Sequence, residues 1–161
     1  MIARWICWFV AAPAAFAAAG WLDELSLPPV DVATGICLYL GLFAERSALP
    51  GLLVAAAIGR AFVDDAGLPV QVLVLGLPVA LLLPLRAWVF QRRWLWQVAA
   101  TVVTAFAIPQ ISGLLGRAFD QPSAGAVLDA ARIAWAAVLV PPLLTVLRRV
   151  PPASSFQEVV P

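Results

Sequence analysis

The chain has no histidine and no lysine, and only 12% of its residues are charged. Soluble domains carry about 25% charged residues, so there is too little polar surface here to cover a water-facing fold. Lack of histidine removes imidazole proton relays and histidine metal ligands. All ten basic residues are arginine, and the net charge of +1 gives no field for a polyanion such as nucleic acid. The two cysteines, Cys7 and Cys37, fall inside apolar runs and read as small packing residues. There is no phosphate-binding glycine loop, no metal-ligand cluster, no nucleophile–base pair and no pair of acids on one apolar segment. No catalytic residue, cofactor ligand or metal ligand is therefore assigned, and an enzyme is not expected.

What the chain has is apolar length. Hydrophobic residues make up 63% of it, the mean hydropathy is +0.97, and long uncharged runs such as Val72 to Leu85 and Leu139 to Leu147 recur. Each crossing of a ~30 Å hydrocarbon layer needs roughly 17–25 such residues, so 161 residues allow at most six or seven. The pattern predicts an all-α integral membrane protein: one domain over 1–149, a bundle of six transmembrane helices over about 2–22, 30–44, 48–63, 68–90, 94–119 and 124–147, then a disordered cytoplasmic tail over 150–161. The breaks are Asp23-Glu24 with Pro28-Pro29, then Glu45-Arg46-Ser47, Asp64-Asp65-Ala66-Gly67, Gln91-Arg92-Arg93, and Asp120-Gln121-Pro122-Ser123. The fourteen prolines fit membrane helices, and Pro78 and Pro84 are expected kinks. Two alternatives stay open. Segment one, with Arg4 before an apolar run ending in Ala17-Ala18-Ala19, also reads as a cleavable signal; it is taken here as a retained anchor. Segments two and three, at about sixteen residues each, also fit a re-entrant hairpin; two spans are preferred because the charges then fall into order.

On that reading Arg4, Arg46, Arg92, Arg93, Arg148 and Arg149 share one side with Glu45 and Glu158, and Arg86 lies close to it. The other side holds Asp23, Glu24, Asp31, Asp64, Asp65, Asp120 and Asp129, against Arg60, Arg117 and Arg132. Basic residues in short loops favour the cytoplasm, which puts both termini there. Trp5, Trp8, Trp21, Trp88, Trp94 and Trp96 sit near span ends as interfacial anchors, and Trp135 lies deeper.

Few residues could carry a site. Arg60 and Asp64 are four apart on one helix face, with Asp65 beside them; they form a local ion pair or order the outer turn for a partner. Asp31 follows Pro28-Pro29 and is placed to cap segment two. Gly51, Ala55 and Gly59, each four apart, make a small-residue stripe that admits a close neighbouring helix and marks segment three as the expected most buried helix. Ala11, Ala15 and Ala19 form a weaker stripe. Gln71, Gln97, Gln110, Thr101 and Thr104 are the mid-span polar residues; the threonines are expected to bond back to their own helix, Gln97 and Gln110 to bridge helices, and Gln71, Gln97, Gln110 and Thr104 are the candidates for lining a ligand pocket.

From about Leu27 to Arg149 the chain resembles MreD, the small inner-membrane protein of the bacterial cell-elongation system. Pro29-Val30-Asp31 is similar to the Pro-Asp that opens one of its helices. Ala57-Ile58-Gly59-Arg60-Ala61-Phe62-Val63-Asp64-Asp65 with Gly67 is similar to its Gly- and Leu-rich helix ending in Asp. Ala136 to Leu144, with Pro141-Pro142 and then Arg148-Arg149, resembles its last helix and basic stop. Val30 splits the Pro–Asp pair, and Arg60 stands where a glycine is usual, as in a divergent member. The resemblance implies a bacterial inner-membrane scaffold without enzymatic activity. Such a scaffold binds an MreC-like bitopic protein and helps couple the MreB filament to cell-wall synthases. It also implies a fold similar to the six-helix substrate-binding subunits of vitamin uptake transporters, so the second function expected is a small-molecule binding subunit of a transporter.

Overall fold

The computed structural model describes residues 2–25, 30–86, 94–122, 130–151 and 153–157. The described residues form six α-helices and no strand: α1 (Ile2–Glu24), α2 (Val32–Leu42), α3 (Leu49–Ala61), α4 (Leu68–Leu85), α5 (Trp94–Ala118) and α6 (Ala130–Leu147), followed by a 3₁₀ turn, Ala153–Phe156. Each helix lies within, or within two residues of, the apolar segment that predicts it. Pro28, Pro29, Trp88, Arg92, Arg93, Ser123, Asp129 and Glu158, used in reading the sequence, lie outside the described residues, as do the side chains of Asp23 and Glu24.

Four helices are long and apolar enough to cross a membrane: α1 over Ile2–Leu22, and all of α4, α5 and α6. Their outward faces carry Val10, Leu81, Val103, Leu114 and Val138, all exposed. In water such a surface would be untenable; in lipid it is the favourable face. With 11 and 13 residues, α2 and α3 rise about 17 and 20 Å at ~1.5 Å per residue, less than the ~30 Å of a hydrocarbon core.

The core forms around α2, not around α3 as the glycine stripe suggests. Every residue from Thr34 to Ala44 is buried, and α2 touches each of the other five helices. A helix apolar all round is stable only when enclosed, and α2 qualifies, with Leu38 and Leu42 on one face and Leu40 on the opposite one, all buried. Gly41 lets α4 in close: a Cβ there would lie 2.6 Å from the Leu82 Cβ. Cys37 is fully buried and its thiol donates to the Leu75 carbonyl at 3.6 Å. These two contacts, four residues apart on α2 and seven on α4, show the two helices running in the same direction.

The α3 stripe has a different role. A Cβ at Gly59 would lie 2.7 Å from the Pro13 Cα and 2.8 Å from its nitrogen, and one at Gly51 would meet the Trp5 ring at 2.7 Å; Ala55 between them is fully buried. The stripe is therefore filled by α1, whose inward line is Trp5, Trp8, Ala12 and Phe16. Trp8 is not an interfacial anchor: it is buried, and its indole N–H donates to the Leu52 carbonyl at 3.2 Å. Trp21, Trp94 and Trp96 are exposed near helix ends, as anchors require.

Candidate functional site

The helix ends gather the charges into two layers. At one end lie Arg4, Glu45, Arg46, Arg86, Arg148 and Arg149. Arg4 Nη1 donates to the Ser155 carbonyl at 3.2 Å, Arg86 Nη1 donates to the Ala44 carbonyl at 3.0 Å, and the Arg148 guanidinium stacks 4.7 Å above the Phe43 ring. The 3₁₀ turn closes this end, where the sequence suggests only an unstructured tail. Phe156 is fully buried, 4.9 Å from the Trp5 ring and 6.4 Å from Trp8, with the Arg4 guanidinium 4.8 Å from its centroid. Tyr39 donates its hydroxyl hydrogen to the Ala153 carbonyl at 2.5 Å, and the Glu45 N–H donates to the Phe156 carbonyl at 2.7 Å. Ala44 and Gln157 form an isolated antiparallel bridge.

The physical need for this closure comes from the shortness of α2. Its turn into α3 begins where a longer helix would still be supplying backbone partners, and unpaired backbone groups in a low-dielectric setting cost several kcal/mol each. The turn's groups are met by Arg86 and by residues 156–157. Sequence reasoning missed Phe156, Gln157 and Tyr39. The available signal was a lone aromatic at 156 in an otherwise Pro- and Ser-containing stretch.

The opposite end holds the residues singled out in the sequence. Asp31 caps α2: Oδ1 accepts the Thr34 N–H at 3.0 Å and Oδ2 accepts the Thr34 hydroxyl at 2.6 Å. Arg60 Nη2 lies 3.5 Å from Asp64 Oδ2, a loose pair with both side chains about 15% exposed. Asp64 Oδ1 accepts the Ala66 N–H at 3.5 Å, while Asp65 is exposed. The electrostatic neighbours of Arg60 include Asp64, Asp31 and Arg132, so residues of α2, α3 and α6 share this layer. Arg60 Nη1 is buried without a hydrogen-bond partner. Gln121 Oε1 accepts the Gly67 N–H at 2.6 Å, tying the start of α4 to the end of α5.

Of the mid-span polar residues, Thr101 donates to the Gln97 carbonyl of its own helix at 2.7 Å, as expected. Gln71 is more unusual. It is fully buried, and neither its amide nitrogen nor its oxygen has a hydrogen-bond partner among the described residues. It lies one turn before Leu75, which faces Cys37, so Gln71 stands nearly level with the start of α2. Gln71, Arg60 and Asp31 thus form a partly satisfied polar layer beneath the acidic end. Comparison of the chain with protein-family models, with curated proteins and with solved structures finds no match.

Proposed function

We propose that the chain is a non-enzymatic multi-pass scaffold of the bacterial cell-elongation machinery, related to MreD, in the inner membrane with both termini cytoplasmic. Its partners are lipid and an MreC-like bitopic protein, and through that protein the MreB filament and cell-wall synthases. The observation that carries this reading is that the two stretches most similar to MreD lie apart in sequence yet sit at the same end of the bundle, where Asp31 caps α2 and Arg60 pairs with Asp64. The exposed rim of that layer carries Asp65, Arg117, Asp120 and Arg132, a charged surface outside the bundle suited to the extracytoplasmic part of a bitopic partner. The opposite, arginine-rich end then faces the cytoplasm. On this reading all six helices cross the membrane, α2 and α3 as short crossings of 11 and 13 residues packed within the bundle.

Co-expression with an MreC-like protein and purification from membranes tests this. Asp65→Arg is expected to lower recovery of the partner while the thermal midpoint of the bundle stays unchanged. Failure of any single-span cell-elongation protein to co-purify would count decisively against the scaffold.

A second reading, a small-molecule binding subunit of a transporter, is favoured by Gln71, whose buried amide is free to meet a ligand. A screen of vitamins by thermal shift separates the two: a ligand whose stabilising effect vanishes in Gln71→Leu supports the transporter reading, and silence across the panel removes it.

A further inference from the structure

The arginine-rich end holds a cleft that neither reading uses. It has a volume of about 220 Å³ and is lined by Thr145, Arg148, Arg149 and Gln157. No carboxylate is among these lining residues. Arg148 is fixed in place: its guanidinium stacks on Phe43 and its carbonyl accepts the Gln157 side-chain N–H at 2.6 Å. Its Nε is buried and has no hydrogen-bond partner, a costly condition for a charged donor. Arg149 is exposed beside it. A helix C-terminus ordinarily repels an anion, but these carbonyls are engaged. Arg148 N–H donates to the Leu144 carbonyl at 3.0 Å, Arg149 N–H to Val146 at 2.9 Å, Val150 N–H to Leu147 at 3.4 Å, and Thr145 Oγ1 to Pro141 at 3.2 Å. The cleft is thus a cationic site, two arginines with no lining carboxylate, directly after the last apolar turn of a span-length helix. That is the depth of lipid headgroups.

We infer that this cleft binds a phosphate group, of the kind carried by an anionic lipid headgroup or by free phosphate, with Arg149 closing over it and the Arg148 guanidinium, held against Phe43, as the fixed charge. Guanidinium is the side chain best matched to phosphate oxygens. The site is independent of the scaffold and transporter readings.

Thermal unfolding of the full chain in neutral detergent tests the inference, with dihexanoyl phosphatidylglycerol, dihexanoyl phosphatidylcholine and inorganic phosphate as probes. Saturable stabilisation by the phosphatidylglycerol probe is expected, with apparent affinity falling roughly tenfold in Arg149→Gln, the loss of one charge-assisted contact. Arg46→Gln, which removes an exposed arginine of the same end outside the cleft, is expected to leave it unchanged. Stabilisation by the phosphatidylglycerol probe alone assigns the phosphate to lipid; equal stabilisation by inorganic phosphate, with the same dependence on Arg149, assigns it to a soluble anion. The inference is overturned if neither probe stabilises saturably. It is equally overturned if the phosphatidylcholine probe binds as well and without regard to Arg149, or if Arg46→Gln weakens binding as much as Arg149→Gln, since that is diffuse attraction.

Discussion

Asp31 and Gln71 are buried polar side chains of opposite kinds. Asp31 uses both carboxylate oxygens on Thr34, and Thr34 is itself fully buried. Asp31→Ala is expected to lower stability by about 1–2 kcal/mol, the usual value of an N-terminal cap, with a further loss because the Thr34 hydroxyl loses its acceptor; Asp31→Asn should recover most of it. Denaturation in detergent measures both. Gln71 makes no compensating bond, so replacing it with a shape-matched apolar residue should help. Gln71→Met is expected to raise stability by about 1–3 kcal/mol, read from the same unfolding curves; a fall would mean the amide has a partner in the membrane. Asp31 was legible as a cap because a carboxylate just after Pro-Pro and ahead of an apolar run has one common use. Gln71 was legible only as a polar residue in a span, because the loss of its partner depends on what three other helices present to it.

Among the helices, Gly59 and Gly20 offer a contrast within the pair α1–α3. A methyl at Gly59 runs into the Pro13 backbone at 2.7 Å, whereas at Gly20 it meets only the Val63 Cγ1 at 3.7 Å. Gly59→Ala is expected to cost about 1–3 kcal/mol, as overpacking does. Gly20→Ala is expected to be neutral, or to stabilise by up to ~1 kcal/mol through helix propensity. Thermal midpoints of the two variants under one condition decide it. Helix positions were readable from the sequence since runs of apolar residues and charged breaks mark where a chain enters and leaves hydrocarbon. Which helix sits in the middle was not. In a soluble bundle the buried face is the apolar face, but here outward-facing residues such as Leu81 and Val103 are as apolar as the enclosed Leu38 and Leu75. With no contrast between lipid and core, the small-residue stripe of α3 signalled a close neighbour correctly and the centre of the bundle wrongly. The neighbour is α1, and the centre is α2.

Across the whole molecule, the two ends differ in how they are finished. Among the described residues, the acidic end is held by the Asp31 cap, the Arg60–Asp64 pair and the Gln121–Gly67 hydrogen bond. The arginine end is closed by a separate piece of chain, with Phe156 lodged between α1 and α2 and Gln157 reaching back to Arg148. Phe156→Ala is expected to destabilise the bundle by about 3–5 kcal/mol and to speed hydrogen exchange at Glu45, whose N–H bonds the Phe156 carbonyl, while exchange at Gly67, capped by Gln121 at the far end, stays as it was. Exchange mass spectrometry on the parent chain and on Phe156→Ala gives the comparison. This closure was hidden from sequence reading because prolines and serines describe a segment poor in its own secondary structure, and say nothing about whether another part of the chain lacks backbone partners.

That closure also sets an order of events in time. Arg4 and Ser155, which meet in the finished protein, are 151 positions apart. At ~5–20 residues per second, Arg4 emerges from the ribosome roughly 8–30 s before its partner exists. Over that interval α1 and the α2–α3 turn have been made, with their ends in the arginine layer uncovered, and the assembly locks only when the 3₁₀ turn arrives. Slowing synthesis before residue 153 should therefore lengthen the life of an open, protease-sensitive bundle.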